Sequence, residues 1–171
     1  MYKGGDMSHR KYNSDRSIRF TRKSRRLSTH NYAWSGTYFI TIRVREMEPL
    51  LERPELRAIV ERTWYALPDR YPGLTLDEFV IMPDHVHFIV RLEGNVEKPV
   101  TLGQVVGAFK SIVTVDWLHY VEANALNCMG RFWQERFFDK IIRDADQLEA
   151  YRKYIRENPA RWAAKRKALG I

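Results

Sequence analysis

The sequence predicts an α+β fold in which helices pack on one face of an antiparallel sheet. Three observations lead there. Strand-like and helix-like stretches follow one another in the order β-α-β-β-α-β-α. A Pro83-Asp84 step separates two apolar runs and leaves no room for a crossover, so those strands form a hairpin. The helical stretches are apolar along one stripe, as helices covering a sheet must be.

Each element has its own signal. In "SGTYFITIRV" (35–44), Tyr38, Ile40 and Ile42 share one face, while Phe39, Thr41 and Val44 help form the other, which predicts a strand. Leu56, Ile59, Val60 and Trp64 recur at helical spacing, predicting an amphipathic helix over 53–67, and "YPG" ends it. "LTLDEFVIM" and "HVHFIVRL" are the hairpin strands, and 92–100 is a loop. Thr101 is placed to cap a long helix striped by Leu102, Val105, Val106, Phe109, Ile112, Val113, Trp117, Tyr120 and Val121. After a loop with Asn124, Asn127 and Gly130, the second half of "RFWQERFFDKIIR" reads as a strand. Asp144 and Gln147 have capping-box spacing and start a last helix, which Pro159 is expected to end. The order is that of the split βαβ, ferredoxin-like pattern, a fold that hosts many functions.

At 171 residues, 44% hydrophobic and 29% charged, the chain suits one soluble globular domain. No apolar run approaches the ~20 residues of a membrane helix, so no membrane partner is expected. The N-terminus lacks the apolar core of a secretory signal, and one cysteine, Cys128, cannot form an intrachain disulfide. A reducing cytoplasm is therefore expected. No Gly-rich loop followed by Lys-Ser or Lys-Thr suggests a nucleotide triphosphate as fuel.

The formal net charge of +8 is unevenly spread. Residues 1–30 carry nine Lys/Arg against two acidic residues (+7) and 150–171 carry seven against one (+6), whereas 31–149 carry 13 against 18 (−5). Cationic ends suit phosphates, with counterion release favouring binding at low salt; they also serve solubility. The expected division is a basic, flexible arm at 1–30 and a domain at 31–171 with a basic tail. Arg22, Lys23, Arg25 and Arg26 of the arm, and Arg152 and Arg156 near the C-terminus, are candidate phosphate contacts.

The chemistry centres on "MPDHVHFIV". His85 and His87, two apart on a strand, point to the same face. They are either solvent-facing polar residues or two arms of a metal site. In "EAYRKYIRENPARW", Tyr154 and Asn158 lie four apart, on one helix face. A helix packed beside the histidine strand could aim both at the imidazoles. Two imidazoles and an amide oxygen would hold a divalent ion, and the phenol could attack as a nucleophile. Tyr154 could equally flank the Leu148, Tyr151, Ile155 stripe with its hydroxyl in water. Lys110 either reaches DNA or snorkels to the surface. Phe132, Trp133, Phe137 and Phe138 could stack bases or belong to the core.

Here the sequence resembles a known family. "MPDHVHFIV" is similar to the HUH (histidine-hydrophobic-histidine) motif of single-tyrosine nucleases and transposases, and "YIRENPARW" resembles the tyrosine helix of the REP-associated tyrosine transposases. "YAWSGTYFITI", "TLGQVVGAFKS" and "FWQERFFDKIIRD" resemble the first strand, the helix after the hairpin and the segment before the tyrosine helix, so the likeness spans about 30–162. The resemblance implies that His85, His87 and Asn158 bind a divalent metal, Mg²⁺ or Mn²⁺, and that Tyr154 cleaves single-stranded DNA. The products would be a 5′-phosphotyrosine link and a free 3′-OH. It further implies palindromic hairpin targets and a monomer or homodimer. Two rival readings are a non-catalytic single-strand nucleic-acid binder and a phosphodiesterase in which water attacks.

Overall fold

The computed structural model describes residues 35–94, 96–127 and 131–170. The 1–30 arm with Arg22, Lys23, Arg25 and Arg26 lies outside them, as does Cys128. The elements are β1 (Gly36–Arg43), α1 (Pro54–Arg70), β2 (Leu74–Ile81), β3 (His85–Leu92), α2 (Leu102–Ala123), β4 (Phe138–Ile142) and α3 (Ala145–Leu169). Two 3₁₀ turns, Arg45–Met47 and Leu50–Glu52, link β1 to α1 and were not expected from the sequence. The sheet order is β2-β3-β1-β4, and every neighbouring pair is antiparallel. Strands β1 and β2, joined through α1, are separated by β3, which is the split βαβ arrangement of the expected ferredoxin-like class.

Alternation along the central strands sorts side chains into two layers. Tyr38, Ile40 and Ile42 of β1 and Val86, Phe88 and Val90 of β3 are fully buried with Leu56, Val60 and Trp64 of α1 and Val105, Phe109, Val113 and Trp117 of α2. Val44 belongs to this layer as well, correcting its assignment beside Phe39 and Thr41. It continues the even-numbered positions past the strand end and forms an isolated bridge with Trp133. Helix α2 starts with a reciprocal capping box between Thr101 and Gln104.

The expected one-sided layering holds for α1 and α2, whereas α3 lies on the opposite face. Its stripe matches the odd-numbered side of the sheet: Ile155 is buried with Phe39, Ile89 and Ile142, and Leu148, Tyr151 and Tyr154 pack around them. Gln147 N–H donates to Asp144 Oδ1 at 2.7 Å, so the helix begins where expected. It does not end at Pro159 but runs to Leu169. Proline removes a single ladder donor, the N–H that the Ile155 carbonyl would accept, and flanking turns can carry the helix past it. The stop is Gly170, at φ +70°, a left-handed cap that glycine adopts without a Cβ penalty.

Candidate active site

The two histidines are the first and third residues of β3, and the loop before them is pinned. Met82 N–H donates to the His85 carbonyl at 2.8 Å, Val44 N–H to that of Asp84 at 2.8 Å, and Leu51 N–H to that of Pro83 at 2.9 Å. His85 is 8% and His87 2% exposed, which excludes the solvent-facing alternative for these side chains. Their Nε2 atoms approach to 2.9 Å. On the far side of each ring, Nδ1 has a partner: Asp84 Oδ1 at 2.5 Å for His85, and Thr41 Oγ1 of β1, directly across the ladder, at 2.8 Å for His87. Arg43 stands 3.7 Å from Asp84 Oδ2.

A carboxylate only accepts, so His85 carries its proton on Nδ1 and directs the Nε2 lone pair at His87. Burial holds the His87 imidazole well below the ordinary histidine range, with the charges of His85 and Arg43 acting the same way. Burial also lowers His85, more than the Asp84 hydrogen bond and charge raise it. Burial alone would raise the Asp84 carboxyl, but its hydrogen bond to His85, the His85 charge and Arg43 together hold it low. Neutral imidazoles beside an ionised carboxylate are the protonation states a metal site requires.

The face opposite the α1–α2 core carries the tyrosine. Tyr154 lies with its ring centroid 5.3 Å from that of His87, edge to face. Phe39, fully buried, is the floor: its ring stacks on Tyr151 at 4.6 Å and on His87 at 5.2 Å, and meets Tyr154 edge-on at 5.9 Å. Arg161, two turns on, has its guanidinium carbon 6.0 Å from the Tyr154 ring centroid and bonds Glu157 at 2.6 Å. Burial and the Tyr154 charge push the Tyr151 phenol up. Asn158 makes no hydrogen bond to either histidine, yet its Nδ2 is buried without any partner.

Those donors suit a divalent ion. Two ligands on adjacent octahedral positions ~2.1 Å from a metal lie ~3.0 Å apart, close to the observed Nε2 separation. Among the described residues no group of three or more His, Cys, Asp or Glu gathers, so a third protein donor would be of another kind. The Asn158 amide is of that kind, and turning it over would replace an unpartnered N–H₂ by an acceptor oxygen.

The remaining candidates sit as follows. Lys110 is half-buried, and its Nζ donates to the carbonyls of Gln134 at 2.7 Å and Glu135 at 3.0 Å, tying down the approach to β4. Arg152 forks onto Asp77 of β2 at 2.9 and 2.6 Å, and Arg156 reaches Glu78 at 3.3 Å and Glu149 at 2.7 Å. Phe132 and Trp133 are core; Phe137 and Phe138 are half-buried. Sequence reasoning missed Thr41, Asp84 and Phe39 as parts of the site. Asp84 adjoins the motif and was readable only as a turn residue, and Thr41 becomes visible once the β1–β3 register is known.

Residues 60–158 match the model of the family described as Transposase IS200 like. The chain belongs to the IS200-like transposase family. A relative from Haemophilus influenzae, an uncharacterized protein, is 30% identical over 167 residues, covering 82% of this chain and 89% of its own. The structure of a REP-associated tyrosine transposase bound to a REP hairpin superposes with a TM-score of 0.58 at 21% identity, covering 77% of this chain and 71% of that one, a likeness of fold. Among the described residues of this family member, no helix is long and apolar enough to cross a membrane.

Proposed function

We propose that this transposase is a metal-dependent, single-tyrosine endonuclease and strand-transfer enzyme acting on single-stranded DNA in the cytoplasm. The observation that carries the reading is the juxtaposition of Tyr154 with His87, whose Nε2 converges on that of His85. His85, His87 and Asn158 would hold Mn²⁺ or Mg²⁺; two imidazoles and an amide form a softer set than the all-oxygen shell Mg²⁺ prefers, which favours Mn²⁺. Such an ion, when bound, supplies Lewis-acid polarisation of the phosphate and charge stabilisation at the leaving oxygen.

The chain's own residues do the rest. Tyr154 Oη attacks phosphorus and the bond to the 3′ oxygen breaks. The 5′ phosphate stays on the tyrosine, and the 3′ oxygen leaves with a proton that replaces the one lost by the phenol. Phosphodiester energy is kept in the tyrosyl link, so a second 3′-OH can reverse the step onto a new strand without nucleotide fuel. Asp84 and Thr41 hold the imidazoles in register, and Phe39 holds the phenol beside them. His87 and Tyr154 of one chain face each other, so a single chain can supply a complete site, as a monomer or within a homodimer.

A palindromic hairpin is the proposed target, supported by the hairpin-bound transposase of the same fold. Residues 31–171 would form the catalytic domain, with the arm residues Arg22, Lys23, Arg25 and Arg26 contributing phosphate contacts. With Arg152, Arg156 and Lys110 engaged inside the protein, the arm and the residues beyond Pro159 carry the larger share of that proposal.

The test is a denaturing gel of the protein mixed with labelled single-stranded hairpin oligonucleotides and Mn²⁺. The expected result is a protein–DNA adduct absent from Tyr154→Phe, from His85→Ala and in the presence of a chelator. Cleavage without an adduct would make water the nucleophile, and binding unaffected by all three would make the protein a binding module.

A further inference from the structure

We propose that Asp77 and Glu78 are positioning residues for the tyrosine helix: a bulge in β2 presents both carboxylates to α3, where Arg152 and Arg156 fix the roll of the helix and hence the place of Tyr154 against His87. The inference rests on the reading of Tyr154 as the nucleophile.

The bulge is explicit in the strand register. Leu76 pairs with Val90 and Phe79 with Phe88, so two residues of β2, Asp77 and Glu78, stand opposite Ile89 alone. In a regular strand consecutive side chains point to opposite faces; an inserted residue breaks that rule and re-aims a side chain. Ile89 faces α3 in the smaller cluster, so the unpaired step delivers two successive carboxylates to the edge of that layer. On α3 the matching cations are four apart, one turn above the other. Arg152 makes a two-point fork to Asp77, and Arg156 forms an ion pair with Glu78 at 3.3 Å; Glu149 approaches both arginines, at 3.7 and 2.7 Å. Asp77 is held below the usual carboxylate range chiefly by the Arg152 hydrogen bond, against the opposing effect of burial.

Helix α3 needs such a device because its apolar anchor is small. Of its 25 residues only Ile155 is buried. A helix held by one buried side chain, with Leu148, Tyr151 and Tyr154 only half-buried around it, has a narrow apolar stripe to resist rolling. With a radius of about 5–6 Å including side chains, a roll of about 10° shifts a side-chain tip by about 1 Å. A misplacement of about 1 Å can cost ~100-fold in rate. Arg152 and Arg156 flank Tyr154 by two residues on either side, so fixing both fixes the tyrosine between them. Isolated surface ion pairs contribute little, but a fork within a five-member network is the geometry in which they do count.

The experiment compares the full-length protein with Asp77→Asn/Glu78→Gln, using Asp116→Asn, which breaks the Arg62 pair between α1 and α2, as control. Three quantities are read: amide hydrogen exchange along α3, Mn²⁺ affinity, and the single-turnover rate of adduct formation. The expected result is exchange in α3 at least about tenfold faster, unchanged exchange in α1, Mn²⁺ affinity lowered because Asn158 rides on the same helix, and adduct formation at saturating Mn²⁺ slower by about tenfold or more. The control should match wild type. Arg152→Lys, which keeps the charge and loses the fork, should give the same pattern more weakly, and Asp77→Arg with Arg152→Asp should restore part of the protection and rate. Unchanged α3 exchange in the double variant overturns the latch. Faster exchange with an unaltered adduct rate overturns the positioning role. If wild type forms no adduct at all, the nucleophile reading fails on its own account, while exchange and the charge swap still decide the latch.

Discussion

At the scale of the residue, the site depends on where protons and rings are held. Asp84 keeps the His85 proton on Nδ1, and Thr41 braces His87 across the β1–β3 ladder. Asp84→Asn should therefore weaken Mn²⁺ binding about 10–100-fold, as loss of a ligand's outer partner typically does, measured by titration of the metal against the full-length protein. Phe39 touches His87, Tyr151 and Tyr154 at once. Phe39→Ala should cost about 3–5 kcal/mol in denaturant unfolding, because no neighbour can collapse into the space without moving the site. Both effects follow from contacts no spacing rule discloses. His-x-His was legible because a strand places alternate residues on one face, but Thr41 lies 46 positions away and joins His87 only through strand pairing.

Elements differ in how far sequence alone defines them. The β2–β3 hairpin was readable at Pro83-Asp84 and α2 at Thr101, since each turn or cap is a local chemical event. Two features of α3 were not. Pro159 looked like a stop, but losing one ladder bond does not end a helix whose flanking turns are otherwise intact. Arg152 and Arg156 looked like free phosphate contacts, because their carboxylate partners sit about 75 residues earlier at a bulge, and a period-two reading of β2 cannot show that bulge. The same pairing gives α3 a pH signature. Asp77 is depressed in the folded state, so its contribution is present above its unfolded value near 3.8 and is lost as pH falls through the lower folded value. Hydrogen exchange in α3 should hold steady from pH 7 to 5, after correction for intrinsic rates, and Asp77→Asn should lessen the acid-induced loosening below about pH 4.

Across the whole molecule, charge and shape divide the work. Residues 31–149, with a formal charge of −5, carry the four-stranded sheet and the histidines, while in the proposed function the +7 arm and +6 C-terminal segment would supply the attraction for phosphates. Removing residues 1–30 should weaken binding of hairpin DNA, with a shallower dependence of log K on log salt, roughly one unit of slope for each phosphate no longer neutralised. Fluorescence anisotropy across a salt series reads that slope, and the adduct rate at saturating DNA should stay near that of the intact chain.

The proposed chemistry stands or falls on Tyr154, set against the His85–His87 pair, as the source of the oxygen in the covalent link. Mass spectrometry of the proteolysed adduct identifies the linked residue outright. One modified peptide is expected, from α3, carrying the 5′-phosphate fragment on Tyr154. A fragment on Tyr151, on another residue, or on no residue despite complete cleavage of the DNA would refute that role.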